Sequence, residues 1–592
     1  MRLRLGSLGA ALSAASLPVY LYGESSSSSV PPVISSSPRT FRVHANLRVL
    51  RSYEDVATVL REAMLKASPD LSTKNAQERV ITIEGDDYGF SHFSYHRGVA
   101  PVAVAFPSNT AEVSALMRTC AENRLNVIAR GGGTSLEGQV LPLGGLQQSQ
   151  TFVSENLHYA RPTVVFDMQR MCGILEVNPQ DLDIRVQAGV GWGTLVTALK
   201  PFGLMFPVDP GPGARMSHSS RAARAHTKPL VYPPSLLSPT THAYTHTHTH
   251  TRATSTEIGG MCGTGCSGTH AVKHGSMKAN VLSLTAVASD GSVLKTGGRS
   301  RKSVSGLDLT SLLIGSEGTL GIVTEAVLKV VPIPAATIVI STPFPTVRAA
   351  AAAVSRAAAL GVPLAAAELL DAPMVACIRG LNSELLPAGP TPHVLWKLSG
   401  GDAACREAAE TLRGICKEAG GMAWSESNSE EGAAELWEAR KSALLSVQIT
   451  HSPLSVLTTD VCVPVSKLPR LMEDFEEHYA RQSEKRGAGA LPPVYAVAHA
   501  GDGNCHHFFA FAPGSPQEED AKLFADWLAL KAISLEGTCT GEHGVGVGKL
   551  KFLPKELGET NARFARAIKC ALDPSALLNP GKKIPPAGAQ GH

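Results

Sequence analysis

Two short turns carry the residue types that chemistry needs. One is His499-Ala-Gly-Asp-Gly-Asn-Cys-His506, the other Gly541-Glu-His-Gly-Val-Gly546. His499, His506, Glu542 and His543 offer nitrogen and oxygen donors of the kind that bind Zn, Mn or Fe. The glycines permit tight turns on which neighbouring side chains share one pocket. The competing reading makes these histidines ordinary core or surface residues. Two His- and Gly-rich turns, one with an adjacent Glu-His pair, weigh against it.

Three glycine-rich stretches suggest a second partner. Arg130-Gly-Gly-Gly-Thr-Ser-Leu-Glu-Gly138 follows an apolar run of strand type. Successive glycines expose backbone N–H groups in a tight curve that suits a phosphate. The stretch lacks the Gly-Lys-Ser/Thr of a P-loop and the spacing of a Rossmann fingerprint, so alone it is equally an ordinary glycine turn. Ile258–Gly268 holds five glycines, enough to let backbone lie flat against something large. Its Cys262 and Cys266 have no second pair at a zinc-like spacing and read as small buried residues. Gly315-Ser-Glu-Gly-Thr-Leu-Gly-Ile322 is the third. Three such stretches fit a long, pyrophosphate-bearing cofactor better than three accidental turns.

The elements that must position these groups follow from periodicity. Helices are predicted over Tyr53–Ala67, Thr110–Asn123, Ala350–Ala359, Glu518–Leu535 and Asn561–Leu572. Strands are predicted over Val102–Phe106, Asn126–Ala129, Val164–Asp167, Asp183–Ala188, Val323–Val331 and Val494–Ala498. A chain of 592 residues is too long for one core, so at least two domains are expected. Fifty-four basic against 51 acidic residues leave +3, too small an excess for nucleic acid as main partner. Eleven scattered cysteines read as reduced thiols.

Three stretches stand outside that rhythm. Residues 1–53 contain six Arg, no Lys and one acid, Glu24, the composition of a mitochondrial transit peptide. The apolar run Leu5–Tyr22 keeps a secretory signal or an anchor as the rival reading. Gly144–Pro162 is polar and rich in Gln. Arg215–Ser255 contains Thr245-His-Thr-His-Thr-His-Thr251 and too little apolar content to pack, so a long inserted surface loop is expected rather than a metal tract.

Together these motifs resemble the FAD-linked oxidoreductases of the vanillyl-alcohol oxidase/PCMH type, in particular the branch that oxidises D-lactate. The resemblance rests on Arg130–Gly138, Pro207-Val-Asp-Pro-Gly211, Ile258–Gly268, Gly315–Ile322, Thr459-Asp-Val-Cys-Val-Pro464, His499–His506, Gly541–Gly546 and Leu578-Asn-Pro-Gly-Lys582. It implies an α+β fold: a PCMH-type FAD-binding domain over 53–335, interrupted near 144–162 and 215–255, then an α+β substrate domain over 336–592 ending in a helical segment. Residues 1–52 would be the transit peptide of a mitochondrial enzyme. Interruption of the flavin-binding segment between Pro210-Gly211 and Gly259-Gly260 is a departure from the family pattern.

The resemblance also implies roles. Gly131, Gly132, Gly133, Thr134 and Ser135 would hold the FAD pyrophosphate. Thr134 stands where some relatives carry a histidine bonded to the flavin, so FAD is expected to be noncovalent. Gly259, Gly260, Gly263, Gly268, Gly318 and Ile322 would line the flavin, with Asn579 and Lys582 near its edge. His499, His506 and Glu542 would hold a divalent metal, Zn or Mn. His543 would be the base, and Arg440 would pair with the substrate carboxylate through its guanidinium fork. The expected reaction is oxidation of D-lactate to pyruvate, with cytochrome c as acceptor and at most a peripheral membrane association. Hydroxyglutarate-type relatives place a lysine near position 458; an uncharged Thr458 favours a monocarboxylate. The alternatives are another D-2-hydroxy acid dehydrogenase, of the D-2-hydroxyglutarate or glycolate type, and a flavin-free metal hydrolase.

Overall fold

Local sequence accounts for most elements of the computed structural model. It describes residues 52–586 except 84–87, 90–93, 144–160, 212–214, 217–253, 383–385, 387–388, 428 and 488. The proposed transit peptide and nearly all of both insertions therefore lie outside the described residues. Helix Tyr53–Ala67 starts at a capping box, Ser52 accepting from Asp55 N–H and Asp55 from Ser52 N–H, and buries one apolar stripe. Asn109 caps Thr110–Glu122 by accepting from Glu112 N–H, and Thr346 caps Val347–Ala359 by accepting from Ala349 N–H.

The first half of the chain builds two sheets. In a four-stranded sheet Ala103–Ala105, Thr163–Asp167 and Asn126–Arg130 run parallel, with Val80–Ile81 antiparallel at one edge. All five residues of Thr163–Asp167 are buried, as a parallel strand covered on both faces requires. A five-stranded antiparallel sheet follows the order Val293–Lys295, Val281–Val287, Ile322–Lys329, Asp183–Gln187, Ile174–Asn178.

The second half is one large antiparallel sheet. Its order is Ser425–Ser427, Ala336–Pro343, His393–Gly400, Leu364–Leu370, Val494–His499, Asn504–Phe511, Ser455–Thr458, with Val461–Cys462 also on Asn504–Phe511. Helices Val347–Ala359, Asp402–Glu418, Leu468–Arg486 and Pro516–Ser534 contribute to the core on it. The chain end then returns to the first half. Val127 N–H donates to Leu577 O and Asn579 N–H to Val127 O, so Leu578 bridges in parallel to the strand that leads into Gly131.

Two elements differ from the sequence reading. Ile258–Thr264 is a short helix rather than flat backbone, because Ile258, Met261 and Cys262 bury together on one side and outweigh the cost of the glycines. Leu553–Leu572 is two helices meeting at Gly558, whose φ of +78° and ψ of 159° are not helical, so the predicted Asn561–Leu572 helix is preceded by a further helical segment that sequence reading did not include.

The larger insertion leaves and re-enters through a two-rung ladder, Arg215 opposite Ser255 and Met216 opposite Thr254. Its ends are thus already adjacent, and two residues suffice to join them. Replacing 217–253 by Asn-Gly is expected to leave the flavin-to-protein ratio of the purified chain unchanged or raised. A folded variant without flavin makes the segment part of the site.

Candidate active site

The hairpin Val494–His499/Asn504–Phe511 places the histidines. Its register sets His499 opposite Asn504 and Val497 opposite His506, so His499 and His506 share a face. His507 takes the other face, packs at 4.1 Å on the Phe475 ring and is pushed down to about 3 by burial. Alternation thus separates a site histidine from a core histidine one residue away. The hairpin turn needs Gly503, with φ +78°, because a Cβ there would lie 2.0 Å from Val463 O.

The Gly541–Gly546 turn is tied to the rest of the site by two carboxylates. Asp460, fully buried, accepts from Glu542 N–H at 3.0 Å, His543 N–H at 2.9 Å, Thr540 Oγ1 at 2.8 Å and Asn504 Nδ2 at 2.7 Å. Burial alone would raise its pKa, but Lys549, His543 and His506 hold it well below the usual carboxylate range. Glu317, from the third glycine-rich stretch, accepts from Val545 N–H at 2.7 Å and Gly546 N–H at 2.8 Å. Gln139 Nε2 donates to His543 O.

These ties bring the reactive groups together. Glu542 Oε1 lies 3.2 Å from both His499 Nε2 and His506 Nε2. His543 stacks on His506 with ring centroids 4.8 Å apart. Burial opposes charge on His499, but the Glu368 and Glu542 carboxylates outweigh it and push the ring up to about 10. Burial brings His543 down to about 4 against the pull of Asp460, and its Nδ1 is buried with no hydrogen-bond partner among the described residues. Arg440 donates through Nε to Glu368 Oε2 at 2.5 Å, and its Nη2 is 3.3 Å from His499 Nε2.

One cavity of about 1680 Å³, its open mouth included, joins this cluster to all three glycine-rich stretches. Gly131, Gly132, Gly133, Thr134, Ser135, Gly259, Gly260, Gly263, Gly318 and Ile322 line it, as do Arg440, His499, His506, Glu542 and His543. Gly268, Asn579 and Lys582 do not. Gly268 packs so closely that a Cβ would lie 1.9 Å from Asp209 O. Asn579 sits behind the wall, donating through Nδ2 to Gln139 O and Glu317 O. Lys582 is also buried, and burial, opposed by Glu317, brings it down to about 7.

The cavity fits an extended dinucleotide. Cβ atoms built on Gly211, Gly260 and Gly263 meet nothing within 4 Å, so these glycines leave open space that side chains would enter. Glu257 Oε2, also in the lining, is buried without a partner among the described residues. The histidine cluster fits a divalent cation, since one donor atom each from His499, His506 and Glu542 lies within 4.8 Å of the others. Asp460, His506 and His543 form a second such set. Asp460 already accepts several hydrogen bonds, which leaves the first set better suited.

Sequence reading does not single out Glu368, Lys549, Glu317 or Gln139, and meets Asp460 only inside the Thr459–Pro464 motif. Glu368 had a usable signal: it is the only acid in the apolar run Leu364-Ala-Ala-Ala-Glu-Leu-Leu370, where an unpaired charge is costly. Glu317 and Gln139 had none, because their partners come from the other half of the chain.

Residues 333–583 match the family model described as FAD linked oxidases, C-terminal domain, and residues 101–225 match an FAD binding domain. The chain is 35% identical over 519 residues to the mitochondrial D-lactate dehydrogenase [cytochrome] of Arabidopsis thaliana, covering 87% of this chain and 79% of that protein. Identity to the corresponding Saccharomyces cerevisiae protein is 34%, covering 81% and 72%. Identity to the glycolate oxidase subunit GlcD of Bacillus subtilis is 30%, covering 86% and 97%. In fold it is similar to 4-ethylphenol oxidase from Gulosibacter chungangensis, with TM-score 0.61 and 17% identity over 91% of this chain and 98% of that one. p-Cresol methylhydroxylase gives TM-score 0.61 at 14% identity, covering 90% and 96%.

Proposed function

The chain belongs to the FAD-linked oxidase family that includes the D-lactate dehydrogenases (cytochrome), and from that premise we propose that it oxidises D-lactate to pyruvate and passes the electrons to cytochrome c. One observation carries the reading: a His/Glu metal-type cluster and a guanidinium open into the same cavity as three glycine-rich cofactor segments. The division into a flavin domain over 53–335 and a substrate domain over 336–592 is part of the proposal. So is a mitochondrial location, which agrees with the Arg-rich start and with the relatives named as mitochondrial.

Each side chain then has a task. Gly131–Ser135, Gly259, Gly260, Gly263, Gly318 and Ile322 hold FAD, and Thr134, which offers no ring nitrogen, leaves it noncovalent. His499, His506 and Glu542 hold the cation. When bound, FAD supplies the hydride acceptor and the cation polarises the substrate hydroxyl. Arg440 orients the substrate by its carboxylate, since the Glu368 bond engages Nε and Nη1 bonds no described residue. His543 takes the hydroxyl proton; burial favours its neutral ring, and the unpartnered Nδ1 is a buried polar atom in need of a partner.

Leu444, Val497 and Phe508 give the cavity that Arg440 lines apolar surface, and Thr458 adds no charge. This suits the methyl group of lactate better than a second carboxylate. Glycolate is the second reading, favoured by the likeness to the GlcD subunit. A panel of D-2-hydroxy acids on flavin-loaded protein tests both: D-lactate is expected to show the highest kcat/KM, and preference for glycolate or D-2-hydroxyglutarate overturns the assignment. A flavin-free hydrolase finds no support in either family model.

Arg440→Lys keeps the charge but loses the fork. The expected result is a KM for D-lactate raised about 10-fold or more, at roughly 1.4 kcal/mol per factor of ten, with flavin content unchanged. An unchanged KM removes Arg440 from the carboxylate site.

A further inference from the structure

We propose that Glu368 is the positioning residue for both halves of this site: one carboxylate aims the His499 ring at the cation and the Arg440 guanidinium at the substrate. The inference rests on the roles given above to His499 and Arg440 and concerns a residue that neither turn contains.

Glu368 is fully buried, in a strand, Leu364–Leu370, whose seven residues are all buried. An ionised group in such a place requires partners, and Glu368 has two. The antiparallel register sets it opposite His499, so their side chains leave the sheet on the same face. Its Oε1 lies 2.8 Å from His499 Nδ1 and its Oε2 2.5 Å from Arg440 Nε.

The chemistry of the pair follows from which atoms can donate. A carboxylate only accepts, so a His499 proton is held on Nδ1, and in the neutral ring the Nε2 lone pair faces the side where Glu542 stands, 3.2 Å away, with Arg440 Nη2 at 3.3 Å. Engaging Arg440 through Nε fixes the plane of the guanidinium and leaves Nη1 for a substrate oxygen. Glutamine would fill the same volume with one acceptor and one donor. Its NH2 would face either His499 Nδ1–H or Arg440 Nε–H, and one of the two side chains must turn away.

The test measures metal affinity separately from turnover. FAD-containing protein is titrated with Mn²⁺ or Zn²⁺ against a chelator, and KM for D-lactate, flavin content and Tm are recorded on the same samples. Glu368→Gln is expected to weaken ion binding about 10–100-fold and to raise KM, with flavin per chain unchanged. Arg440→Lys is expected to raise KM alone. Because an amide leaves Arg440 buried and unpaired, the single variant can fail to fold. The double variant Glu368→Leu/Arg440→Met removes that charge and leaves His499 Nδ1–H with no carboxylate to donate to, so the metal titration is read by itself, with the same loss expected. Wild-type ion affinity in the folded single variant or in the double variant overturns the proposal. Wild-type protein that binds neither ion overturns the metal assignment and this inference with it. A substrate other than D-lactate leaves the titration result standing.

Discussion

Replacing His543 by alanine is expected to slow flavin reduction by D-lactate about 10²–10⁴-fold in a single turnover while metal and FAD contents hold. The flavin colour reports the chemical step without any acceptor. The expectation follows from position: His543 stacks on His506 but is not within bonding distance of Glu542, at 3.9 Å, so its removal leaves the His499, His506 and Glu542 donors in place. Its backbone N–H still donates to Asp460, and Gln139 still reaches its carbonyl, so the turn keeps its shape without the ring. His506→Ala makes the contrast. It deletes a donor atom, and metal content and turnover are expected to fall together. Near-normal flavin reduction in His543→Ala sinks the base assignment. Full activity in metal-stripped wild type makes the histidines direct substrate contacts.

Gly260→Leu is expected to reduce bound flavin to below about a tenth of wild type without harming the fold. Gly260 is inside the helix Ile258–Thr264, lines the cavity and has no atom within 4 Å of a built Cβ. The new side chain therefore meets only the space given to the cofactor. Leu is a better helix former than Gly by about 0.5–1 kcal/mol, so the flavin-free variant should melt no lower than flavin-free wild type. Gly189 is the control. A Cβ there would lie 2.1 Å from Met168 O, so Gly189→Ala is expected to lower Tm. Stoichiometric flavin in Gly260→Leu places the cofactor elsewhere.

Much of the architecture was legible along the chain. Sequence reading located Asn126–Arg130, Val494–His499 and Pro516–Ser534 to within two residues. The Ile258–Gly268 stretch was read as flat backbone because glycine content argues against a helix. Burial of Ile258, Met261 and Cys262 decided otherwise, and that burial depends on packing the stretch itself does not contain. Resemblance puts Asn579 and Lys582 near the flavin edge; in the fold neither lines the cavity, and Asn579 donates instead to Gln139 O and Glu317 O, because the chain end adds to the strand below Gly131.

What the sequence determined by itself is the chemistry on offer: two turns with nitrogen and oxygen donors, and three glycine stretches open to phosphate. These are local properties, set by residue type and by the few φ/ψ states that neighbouring residues allow. Tertiary structure alone decided which donors meet. Glu368 reaches Arg440 across 72 residues and His499 across 131, while Glu317 reaches the Gly541–Gly546 turn across 228. No spacing rule relates such positions. Strand register and the return of the chain end bring them together, and both depend on how the whole core packs.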